Sequence, residues 1–370
     1  MSGFSRFYPD FTAGQLRYLA GGANSALNDQ YVICDGSTVS QATYPQLYAQ
    51  VGLIRNGNWT STWTTRTTPS TAGLSAVIYN GTDLFVAGGT SGALATSTDA
   101  ITWTARTSGT ALGINALVYN GTNLYVYAGD SGALATSTDA ITWTARTSGT
   151  GSSIQALAFG GGIYLYGALG GALRTSSDGI TWTVRASGTT SAIRALLYAS
   201  NLYVYAGDNS ALATSTDGIT WTARSAGFGL DEINALTYAN GLYIAGGTNG
   251  KLATSTDAIT WVQRTTGLPA TSAGDIQGLR YEAGYYILLS GQYFGYSTDA
   301  ITWTVNIAGN NFTSLTYGNN TFVGSRAATQ GIATGGLYTY DPTTQFALPT
   351  GAVAPSIKYP VTPVVYIKYR

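Results

Sequence analysis

The chain has 370 residues, 17 acidic and 17 basic side chains, one cysteine and no histidine. Charged residues are 9% of the total, against roughly 25% in an average soluble domain, and zero net charge argues against nucleic acid or an anionic membrane surface as partner, since neither would find a basic patch. Histidine triads and histidine metal sites are excluded, as is an internal disulfide framework, and no cofactor is expected.

The 27 tyrosines and 48 glycines, set among Thr, Ser and Asn, favour strands and tight turns over helices. No apolar run approaches the roughly 20 residues that span a bilayer, so membrane insertion is not expected. The N-terminus "MSGFSRFYPDF" lacks the apolar core of a signal peptide.

Residues 1–57 follow no repeat. They contain "YVICDGSTVSQATYPQLYAQVG" at Tyr31–Gly52, where Cys34 reads as a small buried residue rather than a reactive thiol. From Asn58 the chain becomes periodic. Trp63, Trp103, Trp143, Trp182, Trp221, Trp261 and Trp303 are 40, 40, 39, 39, 40 and 42 residues apart, and "SGALATSTDAITWTARTSGT" at Ser91–Thr110 recurs unchanged at Ser131–Thr150. A period of about 40 with strand-like content is the signature of a β-propeller.

One unit, Ile114–Arg146, reads as strand "INALVY", turn "NGT", strand "NLYVYAG", turn, strand "ALATS", turn "TDA" and strand "ITWTAR". Four short antiparallel strands make one blade. First strands are predicted to begin at Leu74, Ile114, Ile154, Ile193, Ile233, Ile276 and Phe312, giving seven blades. No tryptophan follows the seventh first strand, whereas Trp63 precedes the first. Asn58–Thr67 is therefore expected to supply the missing fourth strand of the last blade, with Trp63 beside Gly331–Thr334. Such closure leaves no open strand edge.

Each blade carries S-T-D-A/G-I-T-W, which resembles the Asp-box S-x-D-x-G-x-T-W of sialidase-like propellers, one residue shorter. Asp99, Asp139, Asp178, Asp217, Asp257 and Asp299 are expected to hold turns by accepting backbone N–H bonds. Trp103, Trp143, Trp182, Trp221, Trp261 and Trp303 are expected to fill the gaps between blades. Six near-identical aspartates cannot share one catalytic site, so this role is structural.

The repeat ends near Gly336. The N-terminal segment resembles the tail-collar domain of phage tail fibres: Cys34, Asp35, Gly36, Ser37, Ser40, Tyr44, Leu47, Tyr48 and Gly52 match its signature, and "DPTTQFALP" at Asp341–Pro349 resembles a later part of it. The family's Asp-Leu-Arg-Gly continuation is replaced by Thr350, Gly351 and Ala352. The tail "VVYIKYR" is similar to the closing strand of phage fibre tips. The expected architecture is thus all-β: a seven-bladed propeller (58–336) closed by its own N-terminal strand and inserted into a small discontinuous collar-like domain (1–57 with 337–370). A propeller's adjacent ends allow such an insertion.

The resemblance implies a virion tail-fibre or tail-tip protein, commonly a homotrimer, that contacts other tail proteins, attaches to a host-cell glycan or other surface receptor, and is extracellular after lysis. Phe4, Phe7, Tyr8 and Phe11 either anchor it to the particle or pack against the collar. The second residues of the first strands, Ser75, Asn115, Gln155, Arg194, Asn234, Gln277 and Thr313, are polar within apolar strands and are expected to face the central channel, lining either a water-filled bore or a binding mouth.

Departures from the repeat are the better candidates for recognition: Asp130, Asp208, Asp231, Glu232, Lys251, Asp275, Arg280 and Glu282, together with the loops Ala226–Glu232 and Thr265–Asp275. Of all these, Arg194, Asn115, Asn234, Gln277, Asp231, Glu232 and Asp275 are the candidate receptor contacts. A spacer or docking role is the alternative. Enzymatic activity is not expected, because a glycosidase needs two suitably placed carboxylates and off-motif acids are scarce.

Overall fold

The computed structural model describes residues 63–70, 72–307, 311–319, 321–326 and 331–335, together with the backbone of five flanking strands. Cys34, Tyr44, the N-terminal aromatic residues and residues 58–62 lie outside the described residues. The chain divides into two compact units, Met1–Thr60 with Leu337–Arg370, and Ser61–Gly336.

In the first unit, Val364–Lys368 pairs antiparallel with both Leu16–Leu19 and Tyr31–Ile33, forming a three-stranded sheet with the C-terminal strand in the middle. Thr38–Ser40 pairs with Gln345–Ala347, with Val39 opposite Phe346. Both sheets therefore combine strands from the two ends of the chain.

The second unit is seven four-stranded antiparallel sheets. Blade 2 is typical: Ile114–Tyr119, Tyr125–Gly129, Leu134–Ser137 and Thr144–Ala145 run in order from the first strand outward. First strands of the other blades begin at Leu74, Ile154, Ile193, Ile233, Gly278 and Phe312. The sixth thus starts two residues later than the Ile276 expected from the repeat. Ile276 N–H instead donates to Gly247 O of blade 5 (2.9 Å), so this residue ties two blades together before its own ladder begins.

Blade 7 consists of Phe312–Gly318, Thr321–Arg326, Ile332–Gly335 and, from the start of the domain, Thr64–Arg66. Thr64 opposes Thr334 and Arg66 opposes Ile332. A Cβ on Gly335 would lie 2.8 Å from the Trp63 ring, so Trp63 sits one residue beyond the expected span. Its ring packs on Phe312 (centroids 4.4 Å apart) and Phe294 of blade 6 (5.7 Å). Closure therefore buries aromatic surface in the seam between blades 6 and 7 as well as completing a sheet.

Among the described residues the core is divided. Apolar clusters straddle neighbouring blades: Leu74, Val77 and Phe85 of blade 1 pack with Val323 and Ile332 of blade 7, and Val204 and Leu212 of blade 4 pack with Ile233, Leu236 and Tyr243 of blade 5. Second strands such as Tyr125–Gly129 are buried throughout, because each is covered on both sides by a neighbouring blade.

Antiparallel order assigns the connections to two faces. First-hairpin turns and S-T-D turns lie on one, the turn face. The turns between second and third strands, and the loops leading from one blade to the next, lie on the other, the loop face. Thr64 and Gly335, where the chain enters and leaves blade 7, are on the turn face.

Candidate functional site

The channel lining is built by a repeated backbone irregularity. In blade 2, Gly129 pairs with Ile114 and Ala128 with Ala116, so Asn115 is skipped. The same shift skips Ser75, Gln155, Arg194, Asn234 and Thr313. A bulge leaves one residue unpaired and re-aims its side chain. All six, with Gln277, line one central cavity of about 200 Å³, as the polar residue in each apolar strand predicts.

These side chains differ in how far they are already satisfied. Asn115 donates from Nδ2 to Asp130 Oδ1 (2.9 Å) and Ile154 O (3.1 Å), and Ser153 Oγ donates to the same carboxylate (2.7 Å). Hydrogen bonds from Ser153 and Asn115 hold Asp130 below the usual carboxylate range. Arg194 donates from Nε to Asp208 and pairs through Nη2 with Glu232 Oε1 at 3.6 Å; its charge is therefore shared between two carboxylates. Thr313 is tied to Leu74 O (2.9 Å) and Ser325. Ser75, Asn234 and Gln277 make no side-chain hydrogen bond to another described residue.

The two irregular loops converge beside the channel mouth. Asn249 sits between them: its N–H donates to Asp275 Oδ1 (2.8 Å) and its Nδ2 to Asp231 Oδ1 (3.3 Å). Lys251 Nζ pairs with Asp231 Oδ2 (2.6 Å) and donates to Phe228 O (2.8 Å). Hydrogen bonding to Lys251 lowers the Asp231 pKa, with its positive charge adding to the effect. Phe228 is buried in the seam between blades 4 and 5, while Leu230 at the tip of the same loop is 83% exposed. Asp231 and Asp275 thus belong to a braced rim, whereas Arg194, Asn115, Asn234 and Gln277 line the channel.

The turn aspartates occupy the opposite face. Asp139 Oδ1 accepts from Thr142 N (2.7 Å), Ile141 N (2.8 Å) and Ser137 Oγ (2.8 Å). Asp99, Asp178, Asp217, Asp257 and Asp299 repeat the pattern. The backbone donor of the following threonine, then that of the isoleucine, holds Asp99, Asp139, Asp178 and Asp217 down to about 2 and also lowers Asp257 and Asp299. Trp103, Trp143, Trp182, Trp261 and Trp303 each donate Nε1 to the carbonyl three residues earlier (3.1–3.2 Å). Trp221 Nε1 is buried without a partner among the described residues, although its ring still packs on Tyr205 (4.9 Å).

Two features were not read from the sequence. Arg66, Arg106, Arg146, Arg185, Arg224 and Arg264 each donate Nε to a third-strand threonine (2.7–3.0 Å), lacing the outer strand of six blades. An arginine three residues after six of the seven repeat tryptophans carried that signal. Arg280 and Glu282 were recognised as departures but not placed: Arg280 lines the channel. Its equivalents are Ile78, Val118, Ala158, Leu197, Thr237 and Thr316, so alignment of the first strands exposes a lone cation in a row of uncharged residues.

Residues 58–191 and 117–240 match the profile of the DUF6242 beta propeller domain. The domain is a seven-bladed β-propeller. Solved structures agree on the fold: YCF48 bound to D1 peptide is 17% identical with a TM-score of 0.62, covering 75% of this chain and 96% of that one. The WD40 beta propeller domain of Doa1 is 10% identical, with a TM-score of 0.60 over 75% and 95%. The computationally designed Ika8 protein is 14% identical, with a TM-score of 0.53 over 74% and 99%. No curated protein matches the chain. At these identities the likeness concerns the propeller architecture alone.

Proposed function

We propose that the protein is a virion tail-fibre or tail-tip component that attaches to the host cell, with the propeller presenting a surface for a glycan or other receptor. The observation that carries this reading is the pairing of Thr38–Ser40 with Gln345–Ala347. The two stretches that resemble the tail-collar signature lie about 300 residues apart in sequence, yet they form neighbouring strands. A collar-like domain interrupted by a propeller explains that pairing. The bonding of the S-T-D turns is in keeping with an Asp-box propeller.

Recognition is assigned to the loop face. It carries Arg194, the charged rim and the exposed Leu230, and neither chain connection of the propeller lies there. Neutral amides, hydroxyls and a few fixed charges suit hydrogen bonding to carbohydrate. The test is binding of labelled full-length protein to host cells. Binding that is lost in a folded Arg194→Ala, Leu230→Ser variant supports attachment; complete absence of binding by the folded wild-type protein assigns the propeller a spacer role instead. Incubation with host polysaccharide completes the test, since accumulation of new reducing ends would show a depolymerase.

A further inference from the structure

We propose that the central channel holds a small acidic sugar, its single carboxylate on the Arg280 guanidinium and its hydroxyls on the ring of channel amides and hydroxyls. This rests on the attachment reading and names the ligand class for the bore of the same propeller.

The channel contains two arginines, and they are not equivalent. Arg194 at the mouth faces two carboxylates. Arg280 lies three residues further along its strand, roughly 10 Å at strand rise. Its hydrogen bonds go to carbonyls only, from Nε to Leu315 O (3.1 Å) and from Nη1 to Leu279 O (3.4 Å). Neither acceptor removes its charge, and among the described residues it enters no salt bridge.

Its surroundings sharpen that charge. The Arg280 side chain is exposed to the bore, while the protein packed around it partly desolvates and so disfavours the cation. Glu282, two residues on, is the nearby counter-charge, yet burial pushes it up to about 7 against the pull of Arg280. Burial thus works against ionisation of this counter-charge.

A guanidinium presents a planar fork that matches one carboxylate in bidentate fashion. One such cation, with no second beside it, suits a monoanion better than a phosphate dianion. Ser75, Asn234 and Gln277 retain free donors and acceptors for hydroxyls, as described above. The cavity, about 200 Å³, is below the roughly 300–1,000 Å³ of drug-sized sites, so one sugar ring fits and a chain does not. The mouth acids Asp130, Asp208 and Glu232 are each bonded to a channel residue, and that ring is set three residues back from Arg280 along the first strands.

The test is titration of the full-length protein with glucuronate and with glucose, followed by calorimetry or ligand-observed NMR at pH 8. Glucuronate is expected to bind at least tenfold more tightly than glucose, and Arg280→Gln is expected to remove that preference. Glu282→Gln, which deletes the competing charge, is expected to strengthen glucuronate binding several-fold. Equal affinity for the two sugars, or glucuronate binding unchanged in a folded Arg280→Gln protein, would overturn the proposal. Should that variant not fold, Glu282→Gln decides: binding no stronger than wild type rejects the site. Cell binding separates the two readings, because host attachment without glucuronate binding rejects only the channel site, and glucuronate binding without attachment rejects only the adhesive function.

Discussion

The two faces of the propeller differ in what their carboxylates do. On the turn face, Asp99, Asp139, Asp178, Asp217, Asp257 and Asp299 each close a turn with the same backbone donors. On the loop face, Asp130, Asp208, Asp231, Glu232 and Asp275 meet five different arrangements of amide, guanidinium, ammonium and backbone partners. Repetition on one face keeps seven sheets alike enough to close. Variation on the other leaves room for recognition. The distinction matters because a carboxylate's residue type alone does not reveal which role it has.

The largest expected effect tests closure, on which both faces depend. Trp63→Ala removes the ring packed on Phe312 and Phe294 and should cost about 3 kcal/mol in urea unfolding, with the transition losing cooperativity as blade 7 opens. Unchanged stability would mean that the N-terminal closing strand is dispensable. Next, Asp139→Ala leaves the turn N–H groups of Ile141 and Thr142 without their acceptor. It should cost about 1 kcal/mol, like loss of a helix cap, without altering cell binding. Arg194→Ala should do the opposite: its partly exposed ion pairs contribute at most about 1 kcal/mol, but Asp208 and Glu232 are left facing each other at the mouth, and binding to host cells should fall.

Acid should separate the faces as well. The turn aspartates have folded pKa values below that of a free carboxylate, so the stability they supply is present above about pH 4 and is lost as the pH falls towards 2. Glu282 has the opposite sign. Its folded value of about 7 exceeds its ordinary 4.5, so stability should decline as pH rises from about 4.5 to 7. Thermal unfolding of wild type, Asp139→Asn and Glu282→Gln across pH 2–8 reads both slopes; Glu282→Gln should flatten the upper one.

The smallest effect concerns the turn backbone. Position four of the turn is Gly179 or Gly218 at φ +71° in blades 3 and 4, but Ala100, Ala140, Ala258 and Ala300 adopt φ of 57–61° in the others. Relief of the left-handed strain should stabilise Ala140→Gly by up to about 1 kcal/mol, reduced by the loss of a fully buried methyl group. A destabilised variant would show that the methyl contact outweighs the backbone strain.

Blade number, closure and channel lining were legible because each has a periodic signature: tryptophans every 40 residues, one missing strand, and one polar residue in each apolar first strand. The bulges that re-aim Asn115 and its equivalents were not legible, since a skipped pairing leaves no mark in composition. Arg194 could be placed on the channel but not paired, because its partners Asp208 and Glu232 come from a turn and a loop outside its strand. The convergence of the two loops on Asn249 was likewise hidden, as it depends on how far each loop reaches over the rim.

The most direct test of this division of labour is host-cell binding by two folded variants of similar stability, one carrying Arg194→Ala with Leu230→Ser on the loop face and one carrying Asp139→Ala. Loss of binding in the first and retention in the second is the predicted result. Full binding by the loop-face variant, or loss confined to the turn variant, would contradict it.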